Sequence, residues 1–185
     1  MANLFSDGFE SGDLAGWGGS TTDGRDLSVA AGAALYGIYG MNVLIDDTTK
    51  IYVEDHTPNS ETRYRARFYI DPNSLTMATN DEFALSFAED VSWDKAFAIF
   101  LRYDGSNYRI KVLGNDDANS WSTYTSYYTI TDASHYIEVD WKASSGVGAN
   151  DGFVSLWIDG VLKETLANID SDIRIIDTVS LGAVY

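Results

Sequence analysis

The carboxylates of this chain are the residues that could act as acid and base, but their spacing gives no complete catalytic pair. Glu138 and Asp140 alternate within an apolar run, so a strand would place both side chains on one face. Hydrolysis of a glycosidic bond needs two carboxyl groups about 5–10 Å apart. An arrangement of three alternating carboxylates is broken at Lys142, and the adjacent Glu89 and Asp90 would point to opposite faces of a strand.

Histidine and arginine offer a second chemistry, the removal of a proton beside a neutralised carboxylate. The two histidines are His56 and His135, and His135 alternates with apolar residues, which predicts a partly buried structural side chain. Arg65, Tyr69 and His135 could form a base and a cation, but their spacing does not require it. Nucleophile-elbow, phosphate-loop, dinucleotide and zinc motifs are absent from the sequence. We therefore predict that the chain is not an enzyme.

An arginine stripe is the next candidate site. Arg63, Arg65 and Arg67 alternate with apolar residues, so they share one face of a predicted strand over residues 63–70. If this strand pairs with the one that carries Glu138 and Asp140, the five side chains form a cross-strand ion ladder, worth ~0.2–1 kcal/mol per exposed pair. The alternative is a polar face that binds sugar hydroxyls or an acidic sugar, in which Arg65 would be a ligand.

Aromatic residues in polar stretches are candidate platforms for sugar rings. The predicted ligands of this kind are Trp93, Trp121, Tyr124 and Tyr128. The alternative is that these rings pack against neighbouring strands, as aromatic pairs commonly do. Trp141 and Trp157 lie in apolar runs and are predicted to be core residues.

The elements that would position these residues are strands. Residues 151–166 contain two extended runs joined by Asp159 and Gly160, which predicts a β-hairpin because glycine tolerates the positive φ of a tight turn. Clear alternation also predicts a strand over 135–142. Further predicted strands include 4–10, 34–39, 121–130 and 173–184. About a dozen strands with turn residues between them predict an all-β jelly-roll sandwich of two antiparallel sheets, as a single domain over residues 1–185.

Composition excludes several function classes. The net charge is −16, with 28 acidic against 12 basic residues, which argues against nucleic-acid and anionic-membrane partners. Cysteine is absent, which excludes disulfide and thiolate-metal frameworks. No apolar stretch reaches the ~20 residues of a spanning helix, so membrane insertion is not expected. The chain shows no signal peptide, and we expect any export signal to lie outside it.

The segments HYIEVDWKAS, DGFVSLWIDGVLKETL and IIDTVSLGAV resemble the C-terminal half of concanavalin A-like (laminin-G-like) jelly-roll domains of bacterial surface and secreted proteins. The opening DGFESGDLAGW resembles the start of carbohydrate-binding and adhesion jelly rolls. In those relatives an early Glu and a late Asp on neighbouring strands hold a structural calcium ion. The resemblance thus implies a calcium site at Glu10 and Asp177, with Asp7 as a third ligand.

These features together predict a non-catalytic extracellular or cell-surface module that binds carbohydrate or mediates adhesion. The alternative of a different class is a self-assembling subunit of an extracellular filament or surface layer, whose partners would be neighbouring subunits. A polysaccharide-degrading enzyme, either a glycosidase or a lyase, is the third and least favoured prediction.

Overall fold

The computed structural model describes residues 3–184, and it is a β-sandwich of antiparallel sheets, as predicted. A seven-stranded sheet has the order β1-β4-β13-β6-β7-β8-β9 and a four-stranded sheet has the order β12-β11-β10-β5. The strands of the first sheet are β1 Gly19–Thr21, β4 Ile51–Asp55, β6 Glu82–Glu89, β7 Lys95–Tyr103, β8 Tyr108–Gly114, β9 Tyr128–Ile130 and β13 Thr178–Ala183. Those of the second are β5 Arg63–Ile70, β10 His135–Lys142, β11 Gly152–Ile158 and β12 Val161–Ile169. A separate ribbon pairs β2 Leu27–Ala30 with β3 Gly40–Val43, and a short 3₁₀ turn covers Ala31–Ala33 between them.

The core lies between the two large sheets because each strand alternates apolar residues inward. In β7, Phe97, Ile99 and Leu101 enter the main core cluster. Trp141 of β10 and Leu156 of β11 meet them from the other sheet and have no exposed surface. Side chains at the intervening positions therefore lie on the outer faces of the sheets.

The outer face of the seven-stranded sheet carries a second apolar cluster. Ala98 and Phe100 of β7 pack there with Phe87 of β6 and Leu113 of β8. Tyr52, Trp121 and Tyr124 cover part of this cluster. This face thus combines buried apolar side chains with partly exposed rings.

Several predicted strands are confirmed and others are not. Strand β5 covers 63–70 and strand β10 covers 135–142, both as predicted. Residues 4–10 and 34–39 form turns and irregular backbone instead. The predicted strand over 121–130 is reduced to β9, and the one over 173–184 is reduced to β13. Phe5 and Phe9 explain the first difference, because their rings pack at 4.7 and 5.7 Å from the ring of Trp17 rather than alternating along a strand.

Candidate functional site

The outer face of the seven-stranded sheet brings together a group that we call the Lys111 cluster: Lys111, Glu82, Tyr127, Tyr124 and Arg102. Strand pairing assembles it, since Glu82 of β6 lies opposite Arg102 of β7 and Phe100 of β7 lies opposite Lys111 of β8. The loop after β8 supplies the two tyrosines. Residues far apart in sequence thus meet across three adjacent strands and one loop.

Lys111 is the centre of this cluster. Its Nζ lies 2.9 Å from Glu82 Oε1 and 4.2 Å from the centre of the Tyr124 ring. Burial by itself lowers the pKa of Lys111, but contacts with Tyr127 and Glu82 raise it above its ordinary value. The ammonium group therefore stays charged at neutral pH, although only 11% of its side chain is exposed.

Tyr127 connects the charged members of the cluster. Its hydroxyl donates to Glu82 Oε2 at 2.6 Å. The centre of its ring lies 4.9 Å from Lys111 Nζ and 4.8 Å from the Arg102 guanidinium carbon. Arg102 also donates to Asn80, while its Nε is buried without a hydrogen-bond partner. A phenol held between two cations and a carboxylate can accept and return a proton.

The same sheet face also carries a cleft, which we call the Trp93 cleft and which shares Phe87 and Val184 with the outer apolar cluster. Its lining residues are Lys50, Tyr52, Glu54, Phe87, Glu89, Trp93, Lys95, Ser180 and Val184. Lys95 Nζ lies 2.6 Å from Glu89 Oε2 and 4.9 Å from the centre of the Phe87 ring. Burial raises the pKa of Glu89, and the ammonium group of Lys95 offsets only part of that rise. His56 borders the cleft, because its Nε2 lies 3.4 Å from Glu54 Oε2.

Three of the five predicted ligand residues lie on this face. Trp93 lines the cleft and is 62% exposed. The Trp121 ring packs edge-on at 6.1 Å from Phe87, and Tyr124 packs at 6.2 Å from Phe100. The other two lie elsewhere. The Tyr128 ring packs against the main core and its hydroxyl donates to Glu164 at 2.9 Å, while Arg65 lies on the four-stranded sheet.

The predicted ion ladder is confirmed on the outer face of the four-stranded sheet. Arg63 Nη2 lies 2.7 Å from Asp140 Oδ2, and Arg65 Nη2 lies 3.1 Å from Glu138 Oε1. Arg67 Nη2 lies 3.3 Å from the same Glu138 oxygen. His135 is partly buried, as predicted, and its Nδ1 lies 2.7 Å from Asp159 Oδ2. Arg65 therefore pairs with Glu138 and His135 pairs with Asp159, and both residues lie outside the Lys111 cluster.

The three predicted calcium ligands do not share one location. Asp7 and Glu10 line the same shallow depression near the N-terminus. Asp177 lies outside it, and its carboxylate accepts from the backbone N–H of Ser60 at 2.6 Å. Glu10 accepts from the N–H groups of Ile38 and Tyr39. The calcium ion stays a prediction.

A different acidic triad has the spacing of metal ligands. One carboxylate oxygen from each of Asp117, Asp170 and Asp172 lies within 4.8 Å of the others, the single such group among residues 3–184. Burial, followed by Asp172 and Asp170, raises the pKa of Asp117, and the N–H of Ile173 opposes that rise. Mutual repulsion of this kind is relieved by a cation or by protonation.

The comparisons with known proteins establish the fold. No protein-family model and no curated protein matches the chain. Among solved structures, it is similar to the endo-β-1,4-glucuronan lyase of the fungus Trichoderma reesei, with a TM-score of 0.65 and 14% identity over 92% of this chain and 80% of that one. It is also similar to the carbohydrate esterase of the Shiga toxin-encoding bacteriophage phi24B, with a TM-score of 0.58 and 16% identity over 96% and 89% of the two chains. The alginate lyase Aly36B gives a TM-score of 0.52 and 15% identity over 98% and 81%.

These comparisons correct the predicted function. The predictions of a non-catalytic binding or adhesion module and of a chain that is not an enzyme are contradicted, because solved proteins of this fold are described as polysaccharide lyases and a carbohydrate esterase. The prediction was wrong because it judged a hydrolase by its two carboxylates and a lyase by Arg65, Tyr69 and His135, which lie on the four-stranded sheet and not in the Lys111 cluster. A lyase needs a base and a cation instead of a carboxylate pair. The break in the alternating carboxylates at Lys142 therefore does not exclude a lyase.

Sequence reasoning also missed most of the Lys111 cluster. Glu82, Arg102 and Lys111 were not among the predicted site residues. One signal could have identified part of it: Arg109 and Lys111 alternate with Ile110 and Val112, which places the two cations on one face of β8. The pairing with β6 and β7 could not be read from that local pattern.

No helix within the described residues is long and apolar enough to cross a membrane.

Proposed function

We propose that this protein is a polysaccharide lyase whose substrate contains uronic acids, and that the Lys111 cluster is its catalytic centre. The observation that carries this proposal is the placement of the Tyr127 hydroxyl between a carboxylate and two cations on an outer sheet face. The likeness in fold to the glucuronan lyase and to alginate lyase Aly36B supports the same reaction class.

The reaction is an elimination. A base removes the proton from the ring carbon that carries the carboxylate, and the electron pair left behind forms a carbon–carbon double bond. The neighbouring carbon loses its bond to the glycosidic oxygen, and that oxygen takes up a proton. A positive group must neutralise the substrate carboxylate while negative charge develops beside it.

The residues of the cluster match these requirements. Lys111 and Arg102 supply positive charge for the substrate carboxylate. Glu82 accepts the proton of the Tyr127 hydroxyl, with which it is hydrogen-bonded at 2.6 Å, and the two cations stabilise the resulting phenolate. Tyr127 then takes the substrate proton and delivers it to the departing oxygen. Glu82 finally returns its proton to the Tyr127 phenolate, which restores the starting state of the enzyme.

The Trp93 cleft would bind the sugar units that flank the cleaved bond. Trp93 offers an exposed flat surface in the cleft, and the Trp121 ring packs at 6.1 Å from Phe87, which also lines the cleft. The Tyr124 ring lies 4.2 Å from Lys111 Nζ on the same sheet face. Aromatic rings of this kind provide a large apolar contact area and fix the orientation of a ligand.

The proposal also covers the fold family and the cellular location of the protein. The β-sandwich and the resemblance of residues 135–184 support a concanavalin A-like jelly roll. Extracellular polysaccharide as substrate supports a secreted or cell-surface location. A structural calcium ion belongs to the same proposal through the resemblance of the N-terminal segment.

The test is to incubate the protein with glucuronan and with alginate and to follow the ultraviolet absorbance of the conjugated carboxylate at new chain ends. Tyr127→Phe keeps the ring between the two cations but removes the hydroxyl, so we expect it to lower kcat about 100-fold or more. Tyr128→Phe is the matched control, because that hydroxyl lies on the core side of the sheet, and we expect near-normal activity.

Two outcomes would contradict the proposal. If the wild-type protein forms no unsaturated ends from either polymer, the lyase assignment is wrong, and release of acetate from an acetylated polymer would replace it by an esterase. If Tyr127→Phe cleaves as fast as the wild-type protein, the catalytic centre lies elsewhere on the outer face.

A further inference from the structure

We infer that the outer face of the four-stranded sheet is a second binding surface for acidic polysaccharide, separate from the proposed catalytic face. It is built on the arginine strip, which we define as Arg63, Arg65 and Arg67 of β5. The choice of a uronate polymer as ligand rests on the proposed function, while the surface itself is defined by the geometry of this sheet.

The arginine strip is rigidly held yet open to solvent. The three side chains are 46%, 51% and 54% exposed. The carboxylates beneath them, Asp140 and Glu138, are only 11% and 8% exposed. Each guanidinium contacts its carboxylate through Nη2, and a guanidinium has five N–H donors. The carboxylates thus fix the guanidinium groups from below, and donors remain on the solvent side for a ligand.

Aromatic rings complete the surface. The guanidinium carbons of Arg63, Arg65 and Arg67 lie 5.4, 5.3 and 5.2 Å from the ring centres of Phe153, Trp157 and Tyr136. The stacked arginine side chains are already ordered in the free protein, so they lose little conformational entropy when a ligand binds.

A row of tyrosines extends the surface beyond the arginines. Tyr69 of β5 packs at 5.9 Å from Tyr136, and Tyr36 stacks on Tyr69 at 6.3 Å with an interplanar angle of 11°. Tyr36 is 82% exposed. A single exposed ring is common on protein surfaces. These tyrosines, however, continue the line of arginines and stacked rings. Cations suit the carboxylates of acidic sugars, and aromatic rings suit the apolar faces of the sugar rings.

The charge of this surface indicates which class of ligand it would bind. Alternate residues of a strand are ~6.5–7 Å apart, so the strip presents three cations in a line, which suits a ligand with repeated negative charges. The chain as a whole has a net charge of −16, so a second copy of it would be repelled. An acidic polymer would meet positive charge on this face, whereas it would meet acidic groups over most of the protein.

The experiment measures binding of short alginate and glucuronan oligosaccharides by isothermal titration calorimetry, in the Tyr127→Phe background so that the ligand is not cleaved. The test variant adds Arg65→Gln, Arg67→Gln and Glu138→Gln, which avoids leaving Glu138 charged and unpaired. It loses two positive charges and one negative charge, so its net charge changes from −16 to −17. Arg25→Gln makes the same change in an exposed turn and is the matched control.

We expect two binding sites per chain in the Tyr127→Phe protein and in the Arg25→Gln control, and one in the triple variant. For the polymer, we expect affinity to fall about tenfold in the triple variant only. Circular dichroism of the triple variant establishes that it is folded.

The outcomes separate this inference from the proposed function. Equal binding by the triple variant and the control overturns the second surface, even if the protein cleaves polysaccharide. Loss of one site in a protein that cleaves nothing supports the surface and rejects the lyase. A wild-type dimer in sedimentation velocity that the triple variant lacks would also overturn the inference, because the strip would then be a protein contact.

Discussion

The backbone of Trp93, a proposed ligand-binding residue, is held in a strained conformation. Its φ is 67°, a value that is rare for a bulky side chain, and its indole is 62% exposed. Trp121, on the same face, has a φ of 49°. Strained backbone of this kind persists where surrounding structure enforces it, and it is frequent at functional sites. The exposure of the Trp93 ring is better explained by ligand binding than by packing.

Two separate substitutions of Trp93, by glycine and by alanine, distinguish the effect of backbone strain from the effect of ligand binding. Trp93→Gly relieves the strain because glycine tolerates positive φ, whereas Trp93→Ala retains it. We expect the glycine variant to be more stable than the alanine variant by about 1 kcal/mol in urea denaturation. Both variants lose the ring, so both should raise KM for the polymer to the same extent with little change in kcat.

Equal stability of the two variants would contradict the role of strain. An unchanged KM in both would contradict the role of the indole as a sugar platform, whatever their stabilities.

Among the secondary-structure elements, the β7–β8 hairpin supports the proposed catalytic face through its turn. The Asp104 carboxylate accepts from the N–H groups of Ser106 and Asn107 at 2.9 and 2.7 Å and pairs with Arg109. These contacts, the N–H of Asn107 first, hold the pKa of Asp104 below its ordinary value. The turn therefore fixes the register that places Lys111 opposite Phe100.

The lowered pKa of Asp104 predicts a pH-dependent contribution to stability. A carboxylate with a lowered pKa stabilises the folded protein above its unfolded value of about 3.9, and this contribution disappears as the pH falls through the folded value. We expect Asp104→Ala to lower the melting temperature at pH 7, with a difference from wild type that shrinks below about pH 4. Thermal unfolding followed by circular dichroism measures it.

Asp104→Asn is the matched variant, because it can accept the same backbone hydrogen bonds but does not titrate in this range. It should lose less stability than alanine at pH 7. A deficit in Asp104→Ala that stays constant down to pH 3 would show that the carboxylate charge contributes nothing.

Comparison of the elements shows why part of the fold could be predicted and part could not. Strands β5 and β10 were predicted with their observed bounds, because one face of each is buried and the alternation of residue types is unambiguous. Residues 4–10 have apolar residues without a neighbouring strand, and Phe9 takes a positive φ of 62°. The proposed catalytic face depends on the pairing of β6, β7 and β8, which is a long-range property that no local sequence pattern contains.

At the scale of the whole molecule, acidic groups outnumber basic groups by 16, and repulsion among them can be relieved by a metal ion. The resemblance of the N-terminal segment implies a calcium ion at Asp7, Glu10 and Asp177, of which the first two share a depression. The triad of Asp117, Asp170 and Asp172 lies between the loop after β8 and the segment after β12, so a bound ion there would connect two distant parts of the chain.

Melting temperatures measured in EDTA and in excess calcium test the prediction, with magnesium as the control ion. Calcium at about one hundred times its Kd should stabilise the fold by about 2.7 kcal/mol, which is about 5–10 °C for a chain of this size. Asp7→Asn should abolish the shift if the ion binds at the predicted ligands. If Asp172→Asn abolishes it instead, the ion binds at the triad, and the predicted ligands are wrong.

Asp172→Asn also tests the repulsion within the acidic triad when no calcium is bound. Burial raises the pKa of Asp117, and Asp172 adds to that rise through a side-chain hydrogen bond and through repulsion. Neutralising Asp172 in EDTA should therefore increase the melting temperature at pH 7. The folded pKa of Asp117 is raised, so this destabilisation is absent at low pH and develops as the pH rises through the unfolded value of about 3.9. The gain from Asp172→Asn should therefore vanish in acid. Equal melting temperatures of the wild-type protein in EDTA and in calcium would reject a structural calcium ion at either location.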